Sequence, residues 1–515
     1  MAHRLLKSTL IVSGMTTLSR VLGLIRDVII ARYFGASLGM DAFIVAFRIP
    51  NFLRRLFAEG GFSQAFVPVL AEYREKRSRD DVRALLDQTT ATLGSALLLI
   101  TVIGVIAAPV LVIVFAPGFI GQPEKRVLTQ EMLYITFPYI LFISLTALAG
   151  GVLNTYRQFG VPAFTPVFLN LSLIASAIWL APRFAEPIVA LAWGVFVAGV
   201  VQLAFQLPYL WRLGLMPRPA FNRDRDGVAR IVKLMIPTLF AVSVTQINLL
   251  VDTLVASFLM TGSISWLYYS DRLVEFPMGV FGIALATVIM PSLSSEYARG
   301  SGASFNLTLD WALRWVLLIS VPAACGLAVL SNPSLATLFQ YEKFTPFDVS
   351  MAARSLVAYS IGLPGFILIK VLASGFFSRH DTRTPVLAGV AAMLANIVLI
   401  LILVMPLAHA GLALATSIAA YINAGILFWH LKRSSGFIPA AGWYAFSARV
   451  AVAVSAMSLA LILILPHESD WIGWNVSTRV AQLLMCVVAG AVSYFGILWL
   501  AGLRFREMMA PSQQT

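Results

Sequence analysis

The sequence predicts an all-α polytopic membrane protein of about fourteen transmembrane helices, with two pseudo-symmetric six-helix lobes around a central cleft plus two C-terminal helices. Composition, the spacing of apolar segments and an internal repeat support this fold class. Hydrophobic residues make up 59% of the 515 residues and charged residues only 12%, whereas a soluble chain carries about 25% charged residues. A water-soluble globule could not bury so much apolar surface, so we expect the chain to fold in a bilayer.

Apolar segments of membrane-spanning length recur along the whole chain. A crossing needs roughly 20 apolar residues, and hydropathy places the starts near residues 9, 38, 86, 131, 163, 187, 232, 268, 312, 351, 385, 410, 446 and 478. The longest polar connection runs from about Trp211 to Lys233. This leaves no room for a soluble catalytic domain, so we do not expect an enzyme.

The net charge of +13 follows from membrane topology. If the N-terminus is cytoplasmic, the inward connections carry most of the Arg and Lys, as the positive-inside rule requires. The outward connections hold little more than Lys125, Arg126, Arg183 and Lys343. Both termini are then predicted to be cytoplasmic. No basic face or aromatic-rich module indicates nucleic-acid binding.

Metal, disulfide and nucleotide chemistry have no signature in the sequence. Cys325 and Cys486 are far apart in apolar segments, which does not indicate a disulfide framework or a thiolate site. The five His residues are scattered and show no metal-binding spacing. No GxxxxGK phosphate loop occurs, so we expect no cofactor.

An internal repeat predicts the two lobes. The segments "DVIIARYFG", "FRIPNF" and "VPVLAEYR" are echoed in the same order by "DTLVASFLM", "VEFPMG" and "MPSLSSEYAR", about 225 residues later. We therefore predict an N-lobe over 1–222 (helices 1–6), a C-lobe over 223–440 (helices 7–12), and helices 13 and 14 with a cytoplasmic tail over 441–515. Because six is even, both copies enter the membrane in the same direction, as in transporters built from parallel repeats.

The first helix carries charges where a bilayer makes them costly, within "SRVLGLIRDVIIARYFG" at residues 19–35. Arg20 and Asp27 are seven residues apart and share a polar stripe, while Arg26 lies on its border. Arg32 is near the outer end and can snorkel. A central Arg costs about 2.5 to 3.5 kcal/mol on insertion scales. Arg20 and Asp27 therefore either take part in an interhelical ion pair that fixes packing or serve a substrate or ion site.

Other membrane segments add charged candidates. The first lobe contributes Asp41, Arg48, Arg54, Arg55 and Glu59, and the second contributes Asp252, Asp271, Arg272, Glu275 and Lys370. Surplus Arg in a cleft implies an anion, and phosphate or pyrophosphate suits several guanidinium groups. Two alternatives stay open: the second-lobe acids hold a cation or neutralise Arg272, and helices 13 and 14 accommodate a lipid tail or only pack.

Three long segments carry a resemblance to a known family. "SRVLGLIRDVIIARYFG", "DAFIVAFRIPNFLRRLFAEGGFSQAFVPVLAEY" and "SWLYYSDRLVEFPMGVFGIALATVIMPSLS" closely resemble the MurJ (MviN) family of lipid II flippases, in the multidrug/oligosaccharidyl-lipid/polysaccharide exporter superfamily. The resemblance covers nearly the whole chain. It implies alternating-access transport of undecaprenyl-pyrophosphate-disaccharide-pentapeptide from the cytoplasmic to the periplasmic leaflet of the bacterial inner membrane.

The resemblance also assigns roles to residues. Arg20, Arg26 and Arg272 would contact the pyrophosphate; Asp41, Arg54 and Glu59 would be functional without an assigned contact; and Arg48 stands where relatives often have Lys. Helices 13 and 14 would line a groove for the isoprenoid tail. Coupling would use membrane potential or an ion, and Asp252, Asp271 and Glu275 form a candidate Na⁺ site.

The implied partners are lipid II, membrane lipids and the cell-wall synthesis machinery, and we expect a monomer. Two other classes of function are alternatives. Another exporter of the same superfamily would move a polysaccharide lipid, or would be a drug/cation antiporter with an acidic cleft, whereas this first lobe is basic. A scaffold or receptor without transport would not need charges deep in its helices.

Overall fold

Helices are the regular elements of the computed structural model, which describes residues 2–55, 62–221, 225–435 and 437–503. Within these ranges there is no β-strand, and the all-α prediction is confirmed. The helices are α1 (Ala2–Phe34), α2 (Leu38–Arg54), α3 (Ser63–Lys76), α4 (Arg79–Ile106), α5 (Ala108–Phe115), α6 (Pro123–Thr136), α7 (Tyr139–Thr155), α8 (Gly160–Phe164), α9 (Pro166–Ala175), α10 (Val189–Arg212), α11 (Arg225–Ala256), α12 (Ser263–Pro277), α13 (Ile283–Ala298), α14 (Gly302–Val329), α15 (Ser331–Phe339), α16 (Pro346–Phe377), α17 (Arg383–Leu407), α18 (His409–Ser435), α19 (Trp443–Ile464), α20 (Glu468–Gly473) and α21 (Val476–Leu500).

Membrane-spanning helices dominate the described part of the chain. Eleven helical segments there are long and apolar enough to cross a bilayer, and each matches a predicted span. The other three predicted spans correspond to α1, to α2 with α3, and to α11. Both α1 and α2 carry several charged residues, and α11 contains the shorter apolar helix Gln246–Ala256. The described helices thus account for the predicted fourteen spans, and the least apolar of them hold most of the candidate site residues.

Local sequence signals explain several helix boundaries. Ser78 accepts a hydrogen bond from the backbone N–H of Asp81, whose carboxylate in turn accepts from the Ser78 N–H, a capping box that starts α4. Thr345 and Asp348 form the same arrangement at the start of α16. Pro277 ends α12, and a π-helical turn (Met278–Gly282) follows before α13. Such a turn locally departs from α-helical hydrogen bonding, and it divides the predicted span near residue 268 into two helices.

The order of the helices repeats along the chain. An interrupted helix pair (α2 with α3, and later α12 with α13) follows a long charged helix, α1 or α11. A long helix with a short one after it comes next in both copies: α4 with α5, and α14 with α15. Further spans then lead to α10 and α18. The duplication predicted from short sequence echoes therefore extends to element lengths and breaks.

Two compact units divide the described structure, Met1–Ile264 and Ser265–Thr515. In the first, a core of buried residues that includes Phe66, Leu86, Leu153 and Ile231 joins α3, α4, α7 and α11. Hence α11 packs with the first unit, although the repeat assigns it to the second copy. The predicted lobe boundary at residue 222 lies outside the described residues, and that division stays a prediction.

In the second unit, the two C-terminal spans pack against α14. Val450, Met457 and Leu461 of α19 form a core with Cys486 of α21 and Leu318 of α14. The buried Tyr494 hydroxyl donates to the Leu318 carbonyl oxygen, 2.7 Å away. The inner faces of α19 and α21, the predicted helices 13 and 14, therefore serve to pack these helices on α14. Binding of an isoprenoid tail by their exposed faces stays a prediction.

Candidate functional site

The charged stretch of α1 is held by an ion pair between adjacent residues. Arg26 donates from Nε and Nη2 to Oδ1 of Asp27, at 2.9 and 2.6 Å, and the side chains are 11% and 3% exposed. Nη1 of Arg26 donates to Oδ1 of Asn170 on α9, 3.0 Å away. Asn170 also donates to the Ser19 carbonyl oxygen at 2.9 Å. These bonds neutralise Arg26 within the protein and tie α1 to α9.

Arg20 has a different environment from Asp27, although the two share a stripe of α1. The Arg20 side chain is exposed, and across the described residues it has neither a hydrogen bond nor an ion pair. Asp27 is buried. The stripe therefore becomes buried towards the C-terminal end of α1, where Asp27 and Arg26 meet α9. Arg32, predicted to snorkel, is exposed close to the end of α1.

Asp41, near the start of α2, forms a buried ion pair with Lys125 of α6. The Lys125 ammonium lies 2.8 Å from Oδ2 of Asp41, and the backbone N–H of Gly262 donates to the same oxygen at 2.8 Å. The Phe119 ring centroid lies 4.6 Å from the ammonium, a cation–π contact. Asp41 thus has its charge compensated inside the protein, which fits the predicted ion-pairing role.

The second repeat has a counterpart of this contact that is a hydrogen bond instead of an ion pair. Asp41 and Trp266 are each the fourth residue of their helix, and Lys125 and Asp348 are each the third residue of theirs. Trp266 donates from Nε1 to Oδ1 of Asp348 at 2.9 Å, and both side chains are buried. Both repeats therefore fasten the same two helices with a buried polar contact, which identifies the Asp41–Lys125 pair as part of the fold.

Arg48 and Arg54 of α2 bond to protein acceptors. Arg48 donates from Nη1 to the hydroxyl of Thr253 on α11, next to the buried Asp252. Arg54 donates from Nε to Oδ1 of Asn51, 2.8 Å away. Both guanidinium groups are half-buried. Glu59 lies outside the described residues, so its functional role stays a prediction.

In the second unit, Arg272 and Glu275 form an ion pair along α12. Nη1 of Arg272 lies 2.6 Å from Oε2 of Glu275, with the side chains 32% and 41% exposed. The guanidinium carbon is 4.7 Å from the Tyr268 ring centroid. The second-lobe acids were predicted either to hold a cation or to neutralise Arg272, and Glu275 neutralises Arg272. Asp271 is half-buried.

The candidate ion site draws on both units, with Asp252 in the first and Asp271 and Glu275 in the second. Among the described residues, no group of three or more His, Cys, Asp or Glu side chains is arranged to hold a metal ion. The Na⁺ site stays a prediction.

Two residues of the site are not apparent from the sequence. The charge pattern assigns Lys125 to an outward loop, but the structure buries it against Asp41. Its match to Asp348 in the second repeat is the signal that could have found it. Asn170 gave no charge signal, and it acts through Arg26 from 144 positions along the chain.

These features define a class of protein. Polytopic helices in two similarly ordered sets, with ionisable residues inside their spans, are typical of membrane transporters built from repeats. The fold agrees with this class: a solved multidrug resistance MATE family transporter of the MOP superfamily aligns with a TM-score of 0.67 and 13% identity, covering 84% of this chain and 99% of its own.

The chain belongs to the MurJ lipid II flippase family, whose model matches residues 30–481. A probable lipid II flippase MurJ of Vibrio cholerae is 47% identical over 521 residues, covering 99% of each chain. The lipid II flippase MurJ of Burkholderia cenocepacia is 42% identical, covering 97% of this chain and 98% of its own. A solved lipid II flippase MurJ in an inward closed conformation aligns with a TM-score of 0.81 and 27% identity, covering 96% of this chain and all of its own.

Proposed function

We propose that this protein is a lipid II flippase that moves undecaprenyl-pyrophosphate-disaccharide-pentapeptide from the cytoplasmic to the periplasmic leaflet of the bacterial inner membrane by alternating access. The observation that carries the proposal is the full-length match to the family, with the Vibrio cholerae relative 47% identical. In this proposal the protein transports its substrate without a covalent step. Transport is needed because the polar headgroup of the substrate cannot cross a bilayer unaided.

The charge distribution of the first unit supports an anionic substrate. Arg26, Arg48 and Arg54 each bond to a protein acceptor, whereas Arg20 has none across the described residues. An exposed guanidinium on a membrane helix needs water or an anion as its partner. We therefore place Arg20 first among the groups that receive the pyrophosphate, with Arg272 as its candidate counterpart in the second unit. Coupling to Na⁺ or to the membrane potential belongs to the same proposal.

Depletion of the protein in cells, with lipid II scored on each leaflet, tests this function. Accumulation of inward-facing lipid II supports the proposal, whereas unchanged lipid II with a block in another glycan would transfer the role to a different lipid. The matched variants are Arg20→Ala and Arg32→Ala on the same helix. Arg20→Ala is expected to leave lipid II facing inward, and Arg32→Ala to restore its export; equal export by both variants would contradict the role of Arg20.

A further inference from the structure

An open cleft between α13 and α16 of the second unit contains a lysine that has no counter-charge within the described part of the chain. The cleft has a volume of about 580 Å³ and includes Met290 and Pro291 of α13 with Lys370, Ala373 and Phe377 of α16. Lys370 is partly buried. Across the described residues its ammonium has neither a hydrogen bond nor an ion pair.

The cleft is lined by one charged side chain, that of Lys370, and otherwise mostly by apolar side chains. Ile369, Met290 and Phe377 supply apolar surface beside Lys370. The hydroxyl of Ser374, which also lines the cleft, donates to the backbone carbonyl of Lys370 at 3.0 Å. An ammonium beside such a wall inside a membrane helix is costly unless an anion meets it. The matching ligand therefore carries both an anionic head and an apolar chain.

The depth of the cleft matches a lipid headgroup. Lys370 is seven residues before Phe377, the last residue of α16, which is about 10 Å along a helix axis. Pro291 is likewise seven residues before Ala298, the last residue of α13. Arg379 and Arg299 follow these ends, and the positive-inside pattern predicts that they face the cytoplasm. The ammonium thus lies near the boundary between the hydrocarbon and the headgroups of the inner leaflet.

We propose that this cleft binds a phosphate-bearing membrane lipid, with the Lys370 ammonium on the phosphate and the acyl or isoprenyl chain along Met290, Ile369 and Phe377. A compact ammonium is suited to a phosphate as a point charge. Because a bilayer phospholipid and an isoprenyl diphosphate share this chemistry, both are probes for the site. The proposal rests on the cleft alone and stands independently of flippase activity.

Native mass spectrometry of the full-length protein in detergent micelles tests the site. The probes are phosphatidylglycerol, phosphatidylcholine with the same acyl chains, and undecaprenyl diphosphate, each titrated alone. Lys370→Met removes the charge at similar length, Lys370→Arg keeps it, and Lys432→Met is the control, because Lys432 is exposed near the end of α18. We expect Lys370→Met to weaken binding of an anionic probe by about tenfold or more, and Lys370→Arg and Lys432→Met to retain it.

The pattern of loss identifies the source of the phosphate. A Lys370-dependent loss for phosphatidylglycerol assigns the site to a bilayer phospholipid, and one confined to undecaprenyl diphosphate assigns it to an isoprenyl carrier. Equal binding of both anionic probes by Lys370→Met and the unmodified protein would overturn the proposal and leave Lys370 as a snorkelling side chain. If Lys370→Met does not fold, Ala286→Phe on the opposite wall obstructs the cleft with Lys370 in place, and it must also weaken anionic lipid binding.

Discussion

The ammonium of Lys125 lies 2.8 Å from the carboxylate of Asp41, and the two side chains are 2% and 1% exposed. The pair joins the start of α6 to the start of α2. Burying two charges is costly, so such a pair adds little net stability, yet removing one partner leaves an uncompensated buried charge. The position matched by Trp266 and Asp348 has a single hydrogen bond instead. Asp41 therefore has a structural reason to be charged that does not require contact with substrate.

Replacing either partner of this pair alone is expected to destabilise the protein. Lys125→Met leaves the buried Asp41 carboxylate without its ammonium partner, and we expect a loss of about 3 to 5 kcal/mol, seen as a lower Tm and lower abundance. The double variant Asp41→Asn with Lys125→Met removes both charges and is expected to recover most of that loss. If export also returns in the double variant, Asp41 acts through folding; a stable but inactive double variant would contradict that conclusion.

Arg20 and Arg26 are expected to differ in stability, although both variants should lose export. Arg26→Ala removes two hydrogen bonds from the buried Asp27 and should cost about 3 kcal/mol or more. Arg20→Ala removes an exposed side chain, so its Tm should match that of the unmodified protein. Thermal unfolding of both purified variants beside a lipid II export assay separates the two effects. An unchanged Tm for Arg26→Ala would show that the ion pair does not stabilise the fold.

Much of the architecture could be predicted from the sequence, because the local hydrophobic composition identifies membrane helices. The length of the apolar segments predicts the spans. The sequence echo of Asp27 at Asp252 predicts a duplication, and the order and lengths of the helices agree with it. The break after Pro277 is not visible in hydropathy, which continues through Ile283–Ala298. Backbone hydrogen-bond geometry sets that break, and the hydropathy of the 36-residue segment Ser263–Ala298 does not reveal it.

Side-chain partners were harder to infer. Adjacent residues on a helix point about 100° apart, so the sequence does not predict a pair between Arg26 and Asp27. The long Arg26 side chain reaches Asp27 all the same, and it is also held by a hydrogen bond to Asn170. The charge pattern alone places Lys125 in a predicted outward loop. Its burial depends on α2, which is distant in sequence. The candidate residues were thus recognised by their cost in a membrane, while their partners required the fold.

Close helix packing makes Gly362 intolerant of a side chain. A Cβ added there would lie 2.4 Å from the Oγ of Ser417 and 2.8 Å from its Cα, where α16 packs on α18. Small residues allow such approach between membrane helices. Gly362→Ala should therefore cost about 1 to 3 kcal/mol by overpacking, measured as a lower Tm. Gly425 of α18 is the control, since a Cβ there meets nothing within 4 Å. A loss as large for Gly425→Ala would point to backbone effects instead of contact with Ser417.

An ion pair between α3 and α11 predicts how stability depends on pH. Arg230 Nη2 lies 2.8 Å from Oε2 of Glu72, and both side chains are partly exposed. The hydrogen bond from Arg230 and its positive charge, with a further contribution from Lys76, lower the pKa of Glu72. A carboxyl with a lowered folded-state pKa stabilises the protein above its unfolded pKa of about 4.3. That stabilisation is lost as the pH falls through the lowered pKa.

Glu72→Gln should consequently lower Tm slightly at pH 7 and converge with the unmodified protein as the pH falls through the lowered pKa of Glu72. The effect should also shrink at high salt, because ions screen exposed pairs. Glu75→Gln is the control on the same helix, since Glu75 pairs with its neighbour Arg74 and has no hydrogen bond or ion pair to α11 among the described residues. Scanning fluorimetry of the three proteins from pH 7 to pH 3.5 measures the difference. A gap between Glu72→Gln and the unmodified protein that persists at the acidic end would mean that Glu72 stabilises α3 by packing and not by its charge.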